Sequence, residues 1–170
     1  PLDHPIAGKN ELDLLNEGTI LITFLYPLNY PDLAQKCAGK KINVISMDMI
    51  PRTTLAQKMD ALSSQANIAG YKSVIMCADA LGKIFPLLMT AAGTISAAKV
   101  VIMGASVAGL QALGTAKRLG AVVEVSDIRP AVKEEVQSLG GKFIEVETDA
   151  SMQDAGGYAK EASPEFLKKQ

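Results

Sequence analysis

The sequence predicts an α/β fold, with two parallel-sheet units joined by a long helix. Two observations carry this reading. Near both ends, short apolar runs alternate with helical patterns in the order strand, helix, strand, which is the arrangement of parallel pairing. Between them, from Pro51 to Pro86, lies a single long helical pattern.

Taken in order, the first section reads as a strand from Thr19 to Leu25, a helix after Pro31, and a strand from Ile42 to Met47. Gly39, followed by Lys40 and Lys41, is a plausible helix stop. Pro51 breaks the pattern. Thr54 and Gln57 then have the S/T-x-x-E/Q spacing of a capping box, which predicts a helix from about Thr54 to about Lys83. Pro86 ends or kinks it, and Thr90-Ala91-Ala92-Gly93-Thr94 predicts a hinge. Beyond the hinge come a strand from Val100 to Met103, a helix beginning near Val107, and a strand from Ala121 to Val125. A helix from Pro130 to Leu139, the pair Gly140-Gly141 and a third strand from Lys142 to Val146 follow.

The turn between the first two of these later elements is the most specific feature. Gly104-Ala105-Ser106-Val107-Ala108-Gly109 follows a strand and opens a helix, and Asp127 stands at the end of the next strand. A mononucleotide-binding βαβ unit requires that order, so the second unit is read as Rossmann-like. Gly104 permits the tight turn, the helix start points its N–H groups at a pyrophosphate, and Asp127 can accept from a ribose diol. The expected ligand is a dinucleotide, with NAD(H) preferred because Asp127 repels a 2′-phosphate. Ser106 departs from the G-x-G-x-x-G pattern, and its Cβ is expected to hold the pyrophosphate off while its hydroxyl donates to a phosphate oxygen. The other reading of the turn is a glycine-packed corner without a ligand.

Composition narrows the class. The chain has 170 residues, 48% hydrophobic, with a formal charge of −1, enough for one domain or parts of two. Aromatic residues make up 5%, Trp is absent, and no basic patch is visible, so nucleic-acid binding has no support. Cys37 and Cys77 sit among apolar neighbours and read as buried free thiols. His4 is the single histidine and has no partner ligands nearby, so no metal site is expected. The chain opens without a secretory leader and without an initiator Met. The uncharged stretch from Val100 to Ala116 reads as a buried strand feeding a helix rather than a membrane span, which makes the chain itself soluble.

Gln57, Asp60, Ser64, Asn67 and Tyr71 recur at spacings of three and four, and so share one face of the predicted linking helix; Leu55, Met59, Leu62, Ala66 and Ala69 share the opposite face. The polar stripe is either a solvated side or a crevice wall. Its small, mostly uncharged polar groups suit a crevice, since solvated faces carry Lys and Glu. Arg52, just before the helix, can fold back toward Asp60 with Ser63 one turn beyond. A guanidinium fixed in this way is an oriented donor for a carboxamide or phosphate oxygen, and otherwise a helix-entry salt bridge.

The block from Pro51 to Tyr71, PRTTLAQKMDALSSQANIAGY, resembles the signature of the NAD(H)-binding component of proton-translocating nicotinamide nucleotide transhydrogenase. So do Met89-Thr90-Ala91-Ala92-Gly93-Thr94 and the run from Val107 to Gln111 leading to Ala116–Ala121. The resemblance spans nearly the whole chain. It implies two α/β domains flanking a cleft, with NAD(H) lying across it. Arg52 and Ser63 would orient the nicotinamide carboxamide, Asp60 would hold Arg52, and Gln57 would reach the ribose or an incoming NADP(H). Gly104, Ala105, Ser106, Val107, Ala108 and Gly109 would face the pyrophosphate, and Asp127, Ile128 and Arg129 the adenosine end.

Direct hydride transfer between two nicotinamide rings needs alignment and exclusion of water rather than a general acid or base. The related alanine dehydrogenases place a catalytic His near Tyr26, so that activity is the runner-up, with a non-catalytic NAD-binding module third. The resemblance further implies NADP(H) on a separate partner domain, a membrane domain that couples the reaction to proton movement, and a paired subunit. It places the chain in the cytoplasm, peripheral to the inner membrane through the complex, or at the mitochondrial equivalent. The expected organisation is a partial first α/β domain (1–50), a linking helix and hinge (51–92) and a partial NAD-binding domain (93–170). A doubly wound domain has about six strands. The chain is therefore expected to be an interior fragment, inactive alone, that exposes apolar surface and associates with itself.

Overall fold

A computed structural model describes residues 10–145. His4, the expected third-strand residue Val146 and the helical pattern after Gly156 lie outside them. The chain divides into two compact units, Pro1–Ser64 and Gln65–Gln170, and both are parallel-sheet α/β structures.

In the first unit, Asn10 Oδ1 accepts from Leu12 N–H at 3.0 Å and starts a one-turn 3-10 helix over Glu11–Leu14. β1 (Ile20–Thr23) runs parallel to β2 (Asn43–Ser46), with Ile20 opposite Asn43 and Thr23 opposite Ser46. The crossover is α1 (Pro31–Gly39), where Pro31 takes a first-turn position that needs no N–H. Gly39 is the last helical residue, and Lys41, at φ 55, makes the left-handed turn that follows. Leu12, Leu25, Cys37 and Ile42 form the buried core, with Leu21, Leu33 and Val44 packed against it. Ile20, Ile22 and Ile45 on the other sheet face are exposed. This follows from period-two alternation with a helix on one side only.

The linking helix, α2, spans Ala61–Ala80 and begins seven residues after the position that the Thr54–Gln57 spacing predicts. Gln57–Met59 makes a single 3-10 turn instead, with Leu55 91% exposed and Met59 exposed, so only the small Ala56 is buried to hold a helix down there. Two bonds from Ser63 to the Asp60 carboxylate make the later start the better-capped one. Gln57 and Asp60 thus precede the helix rather than belong to its stripe. α2 buries Gly70 and Val74, with Ala78 packed one turn further on. Cys77, expected to be buried, is exposed, although it lies one turn from Val74 on the side of α2 that also buries Gly70.

Where a hinge was expected, β3 (Leu88–Thr90) pairs antiparallel with β4 (Gly93–Ile95) around Ala91-Ala92. A two-residue loop favours a hairpin, and Gly93 at φ 142 supplies the conformation that closes it. The second unit's main sheet is parallel, in the order β5 (Lys99–Met103), β6 (Val122–Ser126), β7 (Lys142–Phe143). α3 (Val107–Arg118) is the first crossover. A 3-10 turn at Pro130–Val132 leads into α4 (Lys133–Ser138), the second crossover. Leu113, Ala116, Val123, Val125 and Val136 form its core, together with Val74 and Phe85. On the opposite face Val101, Met103 and Val122 are exposed. No helix among the described residues is long and apolar enough to cross a membrane.

Candidate functional site

In the second unit the turn between β5 and α3 is built by backbone. Gly104 takes φ 103 and donates its N–H to Ser126 O at 2.7 Å, which ties the turn to the end of β6. A Cβ on Gly109 would lie 1.8 Å from Gly104 O, so only glycine lets α3 start this close to the strand. Gly70 has the same role from the other side: a Cβ there would lie 2.2 Å from Ala108 O. Sequence reading missed Gly70. A glycine in mid-helix, where it weakens the helix, was the available signal.

Ser106 caps α3 at φ −83, ψ −174, an extended conformation open to any residue, and makes no side-chain cap bond. It is exposed. The first N–H groups of α3, from Val107, Ala108 and Gly109, lack acceptors within the helix and carry the positive end of its dipole. Ala105 is buried and turns its N–H inward.

That N–H goes to Asp127. Asp127 Oδ2 accepts from Ala105 N–H at 2.7 Å and from Arg129 Nη2 at 3.0 Å, and Oδ1 accepts from Arg129 N–H at 2.8 Å and Arg129 Nε at 3.0 Å. Its side chain is 5% exposed. Burial pushes the carboxyl upward, but the Arg129 and Ala105 donors outweigh it and hold Asp127 below the usual carboxylate range. Asp127 in turn raises the Arg129 guanidinium. The acid expected to meet a diol is therefore already a brace between the turn and β6, and a diol would share its oxygens with Arg129. Ile128, between them, is half-buried.

In the first unit Pro51, Arg52, Thr53, Thr54, Gln57 and Asp60 line an open cavity of about 290 Å³. Thr53 N–H donates to Pro51 O at 2.9 Å, and Ala56 N–H to Thr53 O at 3.0 Å, so the chain winds tightly through the loop. Asp60 Oδ1 accepts from Ser63 N–H at 3.0 Å and Oδ2 from the Ser63 hydroxyl at 2.6 Å. These two bonds, with the Arg52 charge nearby, hold Asp60 below the usual carboxylate range. Arg52, Gln57 and Asp60 thus line one concave surface, and Ser63 and the Arg52 charge act on the Asp60 carboxylate beside it. Hydrogen-bond donors and acceptors converge there without a histidine or a thiol, which suits orientation of an amide-bearing ligand better than proton transfer.

Comparison with known proteins matches both units. Residues 3–69 match the family model "Alanine dehydrogenase/PNT, N-terminal domain" and residues 73–169 "Alanine dehydrogenase/PNT, C-terminal domain". An alpha-subunit polypeptide of NAD(P) transhydrogenase from Rhodospirillum rubrum is 49% identical over 165 residues, covering 96% of this chain and 43% of that protein. An alanine dehydrogenase from Bilophila wadsworthia is 32% identical over 120 residues, covering 69% of this chain and 31% of that protein. The solved structure of a transhydrogenase from Sinorhizobium meliloti superposes with a TM-score of 0.78 at 50% identity, covering 81% of this chain and 40% of that one. The chain spans less than half the length of these relatives.

Proposed function

We infer the function from one premise: this chain belongs to the alanine dehydrogenase/PNT family. Within it we assign the chain to the transhydrogenase branch, as a component that binds NAD(H) and presents it for direct hydride transfer to NADP+ on a partner domain. The observation that carries this reading is the turn closed by Gly104 and Gly109, braced by Asp127 and opening α3. Gly104, Ala105, Ser106, Val107, Ala108 and Gly109 take the pyrophosphate through helix N–H groups, and Asp127, Ile128 and Arg129 take the adenosine end.

The Arg52 loop takes the nicotinamide. Ser63 and Arg52, both oriented by Asp60, fix the carboxamide, and Gln57 reaches the ribose or the incoming NADP(H). NAD(H) supplies the hydride when bound; the chain's own residues align the ring and keep water away. Tyr26 supports this branch, since the resemblance puts the catalytic histidine of alanine dehydrogenases near that position. The proposal extends to an NADP(H)-binding domain, a proton-conducting membrane domain and a second copy of the subunit as partners. It places the chain in the cytoplasm or its mitochondrial equivalent, peripheral to the membrane through that complex. The domain assignment is a partial first domain (1–50), a linker (51–92) and a partial NAD-binding domain (93–170).

Calorimetric titration of the intact subunit with NADH and NADPH tests the assignment. Tighter binding of NADH is expected, because the Asp127 carboxylate opposes a 2′-phosphate. Equal affinities would overturn the role of Asp127.

A further inference from the structure

Tyr26 has a backbone that folding alone does not account for. It leaves β1 at φ 51, in the left-handed region that disfavours side-chain-bearing residues. It also stands directly before Pro27, which pushes a preceding residue toward extended conformations. The peptide is held from both sides. Tyr26 N–H donates to Asp48 Oδ1 at 3.1 Å, and Tyr26 O accepts from Asn29 N–H at 3.0 Å and Tyr30 N–H at 2.9 Å. The same Asp48 oxygen accepts from Leu25 N–H at 3.0 Å and from the Ser46 hydroxyl at 2.6 Å. A carboxylate just past β2 therefore fixes the exit of β1.

This arrangement presents the Tyr26 ring, 41% exposed, stacked on Phe24 with centroids 6.2 Å apart and planes 19° apart. Both residues stand at the carboxyl edge of the β1–β2 sheet, the edge at which open α/β sheets bind ligands. The chain leaving β2 at that edge runs through Asp48 to Arg52. Strain kept by three hydrogen-bond anchors, at a ligand-binding edge and on an exposed aromatic, points to use of the ring.

We propose that Tyr26, held in place by Asp48, covers the nicotinamide ring at the Arg52 site and gives it a dry aromatic face. Asp48 is a positioning residue: it acts through the Tyr26 backbone. This rests on the nucleotide-binding reading above. An aromatic face attracts the cationic oxidised nicotinamide more than the neutral reduced one, so Tyr26 also favours NAD+ relative to NADH.

The test uses the intact subunit with its NADP(H)-binding partner domain. Tyr26→Gly relieves the left-handed strain, so its melting temperature is expected to stay the same or rise, whereas kcat falls about tenfold. NAD+ affinity should fall by a larger factor than NADH affinity, and Tyr26→Phe should recover most of both losses. Asp48→Ala should lower the melting temperature in the parent, and by less in the Tyr26→Gly background. Tyr26→Gly with unchanged kcat and an unchanged NAD+ to NADH affinity ratio would overturn the proposal. Arg52→Ala separates the two levels: if it slows transfer and Tyr26→Gly does not, only the aromatic cover fails. If neither variant slows transfer, the nucleotide reading itself fails.

Discussion

The turn before α3 and the Arg52 loop hold their functional groups in opposite ways. In the turn, position is set by backbone: Gly104 and Gly109 are needed for steric reasons, and the candidate ligand-facing groups are peptide N–H donors. In the loop, side chains carry the groups: Ser63 is bonded to Asp60, and Gln57 and Arg52 are exposed on a surface that buries little. A backbone site is inseparable from the fold around it, so damage to it should appear as lost stability. A side-chain site on an exposed loop can lose its chemistry while the fold stays intact.

The largest separation should come from opposite ends of this comparison. Gly109→Ala forces a Cβ into Gly104 O and should cost about 3 kcal/mol of stability, with loss of NADH binding. Chemical denaturation together with calorimetry reads both. Arg52→Ala and Gln57→Asn should instead slow hydride transfer about a hundredfold while the melting temperature barely moves. Asp60→Asn should slow the same step by loosening Ser63 and removing the negative charge that faces Arg52. If these loop variants lose stability and keep their rate, the loop is a structural feature and the contrast collapses.

A smaller effect concerns pH. Asp127 titrates below its unfolded value, so its contribution to stability is fully present above the unfolded pKa, about 4, and is lost as pH falls through the folded pKa. Urea denaturation across that acid range should show a steeper loss in the parent than in Asp127→Asn, which lacks the titration. The smallest effect is expected at Ser106. Its extended conformation tolerates glycine without a fold change, so Ser106→Gly should alter NADH affinity only severalfold, and Ser106→Ala distinguishes a donating hydroxyl from an obstructing Cβ.

The same contrast explains what the sequence disclosed. β5, α3, β6 and Asp127 were legible because a glycine turn between two apolar runs has few backbone solutions. In the loop, the grouping of Arg52, Asp60 and Ser63 was legible from spacing, while their assignment to a nicotinamide came through resemblance. Thr54-x-x-Gln57 and Asp60-x-x-Ser63 both offer caps within ten residues, and only the folded state shows that Asp60 engages two donors while Leu55 stays in water. Spacing put Arg129 two residues from Asp127, where it could blunt the acid, and the folded state shows it closing on Asp127 with its guanidinium. Cys77 was misjudged because apolar neighbours in sequence do not report whether anything packs over that part of α2.

The role proposed for this chain is presentation of NAD(H) for hydride transfer directly to NADP+. Deuterium at both C4 positions of the reduced nicotinamide of NADH, followed in the intact subunit with its partner domain, tests that role. One deuterium is expected to appear on NADPH with none released to water, and Arg52→Ala is expected to slow its arrival without diverting it. Label in solvent, or NADH formation that depends on alanine, would rule direct transfer out.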